Sequence, residues 1–158
     1  MKTNLISKSE TSDILKLISK KWKLEIPRVK NLKSHYVDND SQILVGENFK
    51  ILKLKDEFIP FLSDVTLLES FPSVTVDMGA VKFMCNGANV MRPGINNHSE
   101  FLKDDIVCVI EESQHKYLAV GKSLVNSSDM KDMQKGEVIK NLHYISDKYW
   151  DCLLYTSP

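Results

Sequence analysis

Residues 87–94 read GANVMRPG and follow directly on VDMGAVKFMCN, residues 76–86, in a chain of 158 residues. Three of the chain's six glycines, Gly79, Gly87 and Gly94, fall within this stretch, together with Arg92. Glycine is favoured where φ is positive or where another backbone or a ligand approaches closely. The stretch is therefore either a turn-rich structural corner or a surface that receives a ligand, and the pattern alone leaves both open.

Length and composition are those of a globular protein with one domain or two very small ones. The net charge is zero, with 21 basic and 21 acidic residues, which argues against a charge-driven nucleic-acid binder but allows a local basic patch. No apolar run approaches the roughly 18 residues of a membrane span, and the N-terminus lacks an apolar signal-peptide core. A cytoplasmic protein without membrane association is expected. Three widely spaced cysteines do not indicate a disulfide framework.

Positive charge is concentrated in one segment of the first half, where Glu25 is the only acid among seven basic residues. We call this segment the basic strip; it consists of Lys16, Lys20, Lys21, Lys23, Arg28, Lys30 and Lys33. One interpretation is a secondary contact surface for RNA phosphates, with Trp22 as a stacking surface. The other is a solvated helix face with Trp22 turned into the core, as is usual for aromatic residues at helical spacing.

The first half predicts a helix followed by a small antiparallel sheet. Ser7 and Glu10 have capping-box spacing, and a helical apolar periodicity continues to Trp22 and ends before Pro27. Short β-forming runs follow at 34–38 (SHYVD), 42–46 (QILVG) and 49–54 (FKILKL). Residues 58–72, FIPFLSDVTLLESFP, predict a bend and a short helix.

The second half predicts a small, partly open β-barrel. A strand at 73–76 leads into a short helix that Asp77 caps and Gly87 ends in a left-handed conformation. Further strands are expected at 88–91, 105–112, 116–125 and 137–145, with Gly121 at a bulge or close approach. A loop at 92–104 and turns at 127–136 and 147–151 complete the pattern. The expected fold class is α+β, with a helix-plus-sheet domain at 1–71, a barrel at 72–151 and a tail at 152–158.

The sequence contains no arrangement of residues that indicates catalysis. Gly121-Lys122-Ser123 resembles the end of a phosphate-binding loop but lies in a β-rich run rather than at a helix start. The four histidines fall in separate segments and have no zinc-ligand spacing to a cysteine. We therefore expect a protein without enzymatic activity, metal or cofactor.

The second half resembles a PUA domain, the RNA-binding module named for pseudouridine synthases and archaeosine transglycosylases. The segments that carry the resemblance are VTVDMGAVKFMCNGANVMRPGI, FLKDDIVCVI, YLAVGKSLV and KGEVIKNLHYISDKYW. It covers about residues 72–151. Residues 1–71 are similar to the domain that precedes PUA in the malignant-T-cell-amplified-sequence family and its archaeal relatives.

The resemblance implies an RNA surface beside the short helix. The receiving loop would be Gly87, Ala88, Asn89, Val90, Met91, Arg92, Pro93 and Gly94, with Val90 itself in the barrel core. Backbone amides freed by glycine would meet phosphates, and Arg92 would supply a bidentate charged contact. Lys82 and Lys122 would be phosphate-positioning helpers.

The resemblance also implies the function. We expect a non-enzymatic RNA-binding protein of translation or RNA maturation that recognises structured RNA, tRNA or rRNA, by shape. The small ribosomal subunit and an initiation-factor-like protein are the further partners that the family suggests. Two alternatives stay open: a protein–protein adaptor of the translation machinery, and an RNA-targeting subunit for a separate RNA-modifying enzyme.

Overall fold

The structure of the chain is a computed structural model that describes residues 2–156, with side chains for residues 2–152. The chain divides into two compact units, the first ending at Asp64 and the second beginning at Val65. This division lies just before the boundary at 71/72 expected from the sequence. No helix in the described part of the chain is long and apolar enough to cross a membrane.

The first unit is a helix with a five-stranded antiparallel sheet. Its elements are β1 (Thr3–Leu5), α1 (Lys8–Trp22), β2 (Lys33–Asp38), β3 (Ser41–Val45), β4 (Lys50–Leu54) and β5 (Glu57–Pro60). The strands lie in sequence order, so the predicted meander is present and is extended by a strand on each edge. The edge strand β1 was not predicted, because all three of its residues are exposed and show no alternating pattern.

Helix α1 begins and ends as its sequence predicts. The Ser7 hydroxyl accepts a hydrogen bond from the Glu10 main-chain N–H at 3.2 Å, and the helix ends at Lys23, which has a left-handed φ of 57°. The buried side of α1 carries Leu15 and Ile18. The large, fully buried residues of this unit also include Leu32, Ile43, Leu44, Ile51, Leu52, Ile59 and Phe61.

The second unit is a six-stranded sheet with four short helices. Its strands are β6 (Ser73–Val76), β7 (Val90–Met91), β8 (Ile95–His98), β9 (Ile106–Glu111), β10 (Tyr117–Ser123) and β11 (Glu137–Tyr144). Its helices are α2 (Val65–Leu68), α3 (Val81–Met84), α4 (Ser127–Met130) and α5 (Lys148–Thr156), with 3-10 turns at Met78–Ala80 and Arg92–Gly94. The strand order is β7-β11-β10-β9-β6-β8, and β6 pairs with β9 in parallel.

The connection between β7 and β8 closes this sheet. These two strands are the outer ones in the strand order, yet the three-residue turn Arg92–Gly94 is all that joins them along the chain. The four residue steps from Met91 to Ile95 span at most about 14 Å, so the two edges of the sheet lie close together. The sheet is therefore a nearly closed barrel, which confirms the predicted barrel and places the stretch 87–94 at its seam.

The barrel interior is a single apolar cluster. It is formed by Val74, Val76, Met84, Val90, Ile95, Phe101, Val107, Val109, Leu118, Ala119, Met130, Val138 and Ile139. Gly121 lies at a shift in the β10–β11 register, where a Cβ atom would be 2.3 Å from the main-chain oxygen of Lys140. The predicted close approach at Gly121 is confirmed.

In the first unit, residues 58–60, expected in a bend, belong to strand β5. Two segments of the second unit also differ from the sequence-based prediction. The expected loop at 92–104 contains strand β8, which pairs with β6. Its sequence, Ile-Asn-Asn-His, has little β propensity. It forms a strand because the edge of β6 supplies hydrogen-bond partners. The expected turn at 147–151 is the start of α5, which runs through residues 152–156 of the expected tail. Residues 157–158 lie outside the described part.

Candidate nucleic-acid interface

The short helix after β6 is fastened at its start by Asp77. The Asp77 carboxylate accepts a 3.0 Å hydrogen bond from the Ala80 N–H, as predicted for a helix cap. The Asp77 main-chain N–H donates to the Gly94 carbonyl oxygen at 3.0 Å. A Cβ atom on Gly94 would be 3.7 Å from the Cβ of Ala80. The helix start and the seam turn are therefore held side by side.

Gly87 completes the turn that follows helix α3 and has the left-handed conformation that the sequence predicts. Its φ is 88°, and its N–H donates to the Met84 carbonyl oxygen at 3.1 Å. A Cβ atom at this position would be 3.0 Å from the Tyr144 ring. Gly87 is required both by its backbone conformation and by the aromatic ring beside it.

Asn141 of β11 clamps the segment between α3 and β7, which sequence analysis did not predict. Its side-chain amide donates to the carbonyl oxygens of Met84 at 3.2 Å and Ala88 at 3.1 Å. Its main-chain N–H donates to the side-chain oxygen of Asn89 at 3.0 Å. Asn89 and Ala88 are thus bound to the barrel wall. They belong to the segment of residues 78–94, which we call the corner.

Arg92 has a structural role that the sequence did not reveal. Its Nε donates to the Met130 carbonyl oxygen at 2.9 Å and its Nη1 to the Ile95 carbonyl oxygen at 3.2 Å. The Arg92 main-chain N–H donates to the Gly136 carbonyl oxygen at 2.8 Å. Arg92 is half-buried and joins three segments at the seam. Its guanidinium group therefore stabilises the fold. Its Nη2 group has no partner within the described residues.

Several large apolar side chains around this corner face solvent. Met78, Phe83 and Met91 are 49%, 54% and 45% exposed. The Lys82 ammonium lies 5.6 Å from the centre of the Phe83 ring, within the range of a cation–π contact. Val90 points into the core, whereas Pro93 is exposed. Residues 78–94 therefore present exposed apolar groups and one exposed cation, Lys82, beside the half-buried Arg92.

Lys122 lies on the barrel wall rather than on this corner. It is half-buried in β10 and is directly opposite Lys140 of β11. Opposed residues of an antiparallel pair share a face, so the two lysines form a positive pair. In the strand order β11 separates β10 from β7, which places Lys122 about 10 Å from the seam strand at the usual strand spacing. Lys140 was not predicted.

The basic strip lies in the first unit. Its seven residues, Lys16, Lys20, Lys21, Lys23, Arg28, Lys30 and Lys33, are all exposed, and its role in RNA binding stays a prediction. The Trp22 indole N–H donates to the Phe58 carbonyl oxygen at 2.8 Å, and Trp22 is half-buried. This contact favours packing over stacking for Trp22.

The titratable groups of the second unit include two thiols, Cys85 and Cys108, and a buried histidine, His143. Burial raises the pKa of the Cys108 thiol to about 12 and also raises the pKa of Cys85, so neither is poised as a nucleophile. His143 is buried and pairs with Asp147 at 2.7 Å. Within the described residues, no three His, Cys, Asp or Glu side chains are grouped as metal ligands.

Comparison with known proteins gives concordant results. Residues 72–145 match the family described as PUA domain. An uncharacterized protein of Methanocaldococcus jannaschii is 42% identical over 130 residues, which cover 80% of this chain and 79% of that protein. Translation machinery-associated protein 20 of Eremothecium gossypii is 32% identical over 143 residues, 85% of this chain and 75% of that protein.

A solved structure matches both units. The crystal structure of a hypothetical protein from the hyperthermophilic archaeon Pyrococcus horikoshii has a TM-score of 0.79 and 26% identity. The match covers 96% of this chain and 99% of that one. The chain therefore belongs to the family of PUA-domain proteins that includes translation machinery-associated protein 20 and the malignant T-cell-amplified sequence proteins.

Proposed function

We propose that this chain is a non-enzymatic RNA-binding protein associated with translation, and that the corner formed by residues 78–94 contacts structured RNA such as tRNA or rRNA. The observation that carries the proposal is Phe83, which is 54% exposed beside the Lys82 ammonium. An exposed aromatic ring next to a cation is suited to stacking on a base while the cation meets a phosphate. Family membership supports the proposed association with translation, since one relative is named for association with the translation machinery.

The rigidity of the corner favours recognition by shape. Asp77, Gly87 and Asn141 fasten its main chain, so binding costs little conformational entropy there. The exposed Pro93 and the adjacent Gly94 leave the seam backbone open to close approach. In this proposal Arg92 contributes through its Nη2 group, and Lys122 with Lys140 adds attraction for phosphates along the barrel wall.

Titration of a fluorescent tRNA transcript, alongside an unpaired oligonucleotide of the same length, tests the proposal. Phe83→Ala should weaken transcript binding by about 1–3 kcal/mol, the range for loss of one stacked base. Lys82→Ala should reduce the salt dependence by roughly one phosphate contact. Leu102→Ala is the matched control, because Leu102 is 62% exposed and lies outside residues 78–94. Folded Phe83 and Lys82 variants that bind like the parent would contradict the proposal.

Further partners belong to the same proposal. The small ribosomal subunit would supply structured rRNA, and an initiation-factor-like protein would act with it in the cytoplasm. Co-sedimentation of the chain with isolated ribosomal subunits at increasing salt measures this association. We expect the Phe83→Ala variant to dissociate from the subunits at a salt concentration at which the Leu102→Ala variant stays bound. This result would link the association to the corner.

A further inference from the structure

A groove on the first unit has an apolar floor. It lies between α1 and the irregular segment 24–30 and has a volume of about 910 Å³. Its apolar lining residues are Leu15, which is buried, and Leu24, Ile26 and Val29, which are half-buried. The charged lining residues are all exposed. The groove therefore has an apolar floor and a charged rim.

The rim is strongly positive. It carries Lys8, Lys16, Arg28 and Lys30 against a single acid, Glu25. Within the part of the chain that the structure describes, none of the four cations is paired with a carboxylate. Such a cluster around a low-dielectric floor attracts anionic groups. Three of these cations belong to the basic strip, and Lys8 adds a fourth from the first turn of α1.

The main chain beside the groove is also unpaired. Residues 25–30 lie in neither a helix nor a strand, and among the described residues none of their main-chain groups takes part in a hydrogen bond. An extended peptide can satisfy both N–H and C=O groups of such a segment. RNA phosphates offer acceptors only and would leave the carbonyl oxygens unmatched.

We propose that this groove binds an extended acidic segment of a partner protein. Apolar side chains of the segment lie on the floor made by Leu24, Ile26 and Val29, and its carboxylates face the four rim cations. Its main chain pairs with residues 25–30. The proposal goes beyond the RNA contact at residues 78–94 and involves a different unit, so either can fail while the other stands.

Fluorescence anisotropy with the full chain tests this directly. The probe is a labelled peptide with leucine at alternate positions and glutamate or aspartate elsewhere. We expect saturable binding that weakens as salt is raised, and weaker binding of a peptide of glutamate alone. The double variant Lys16→Glu/Lys30→Glu should weaken binding of the leucine-containing peptide by about tenfold, as loss and reversal of two rim charges implies. Lys33→Glu is the control, since Lys33 belongs to the strip but does not line the groove.

Hydrogen exchange gives a second readout that does not depend on the charge variants. Saturating peptide should slow exchange of those amides of residues 25–30 that face it, because they gain hydrogen-bond partners. The proposal would be overturned if the peptide did not bind, or if exchange of these amides did not change. It would also be overturned if Lys33→Glu lowered the peptide affinity as much as Lys16→Glu/Lys30→Glu does. A uridine oligonucleotide that displaces the peptide and loses affinity through the same rim variants would overturn it too, and would make the groove a nucleic-acid site.

Discussion

The Nε of Arg92 donates a 2.9 Å hydrogen bond to the main-chain oxygen of Met130, so the arginine of the seam fastens α4 to the closing turn of the barrel. A second bond from Nη1 reaches Ile95, the first residue of β8. The side chain that the sequence assigned to RNA thus fastens the closing turn to α4 and to the start of β8. A substitution of Arg92 is therefore expected to change the stability of the fold as well as the proposed contact with RNA.

Arg92→Ala should lower the free energy of unfolding by about 1–3 kcal/mol, because two carbonyl oxygens at the seam lose a charged donor. Arg92→Lys should recover part of this loss, since an ammonium keeps the charge but not the planar fork. Urea unfolding measures both, with Lys135→Ala as the control for loss of an exposed cation. An unchanged urea midpoint for Arg92→Ala would show that the two bonds contribute nothing net.

Gly121→Ala should be strongly destabilising, by at least about 2–3 kcal/mol, because the new methyl group would overlap main-chain atoms that cannot move aside. The added Cβ would be 2.3 Å from the Lys140 oxygen and 2.5 Å from the Ile139 side chain. Gly94→Ala is the matched control, because its Cβ would make an ordinary 3.7 Å contact with Ala80. Thermal unfolding compares the two, and equal midpoints would contradict the close approach.

Asp147→Ala should cost about 2–3 kcal/mol and unwind the start of α5. The Asp147 carboxylate accepts hydrogen bonds from the N–H groups of Tyr144 and Trp150, both at 2.8 Å, and pairs with buried His143. Removing it leaves a cap and a buried partner unsatisfied. Circular dichroism and urea unfolding check this. Asp151→Ala removes an acid from the same helix turn and should change stability by less than about 0.5 kcal/mol.

Glu111 should make the second unit more stable at neutral than at acid pH. Burial works to raise the pKa of its carboxyl, but hydrogen bonds from the main-chain N–H groups of residues 113–116 outweigh burial and lower the pKa below the ordinary 4.5. A group with a lowered pKa in the folded state stabilises fully above its unfolded pKa. That stabilisation is lost as pH falls through the folded pKa.

Urea midpoints between pH 7 and pH 3 measure this contribution. The Glu111→Gln variant should have a urea midpoint that depends less on pH, and it should be less stable than the parent at pH 7. Glu137→Gln, which removes an exposed carboxylate from the same unit, serves as the comparison. If the Glu111 and Glu137 variants showed the same pH profile, the hydrogen bonds to Glu111 would have no part in acid sensitivity.

Much of the fold was predictable where the signal is local. Ser7 and Asp77 cap helices as predicted, since each bonds an N–H three residues away. Gly87 has positive φ, as a glycine after a short helix implies. The predicted strands of both units were identified from short runs of β-forming residues between turn signals. Local patterns failed for β1 and β8, whose residues show no β pattern and form strands because a neighbouring edge pairs with them.

Sequence by itself determined the caps, the left-handed glycine and most of the strands, because each depends on residues close together along the chain. The number and even spacing of the strands indicated a barrel. Tertiary structure alone decided what the candidate site is made of. Arg92 reaches a carbonyl 38 residues away, and Asn141 clamps a segment 57 residues before it. A hydrogen bond across such a separation leaves no periodic trace in the sequence, because only closure of the barrel brings its two partners within reach.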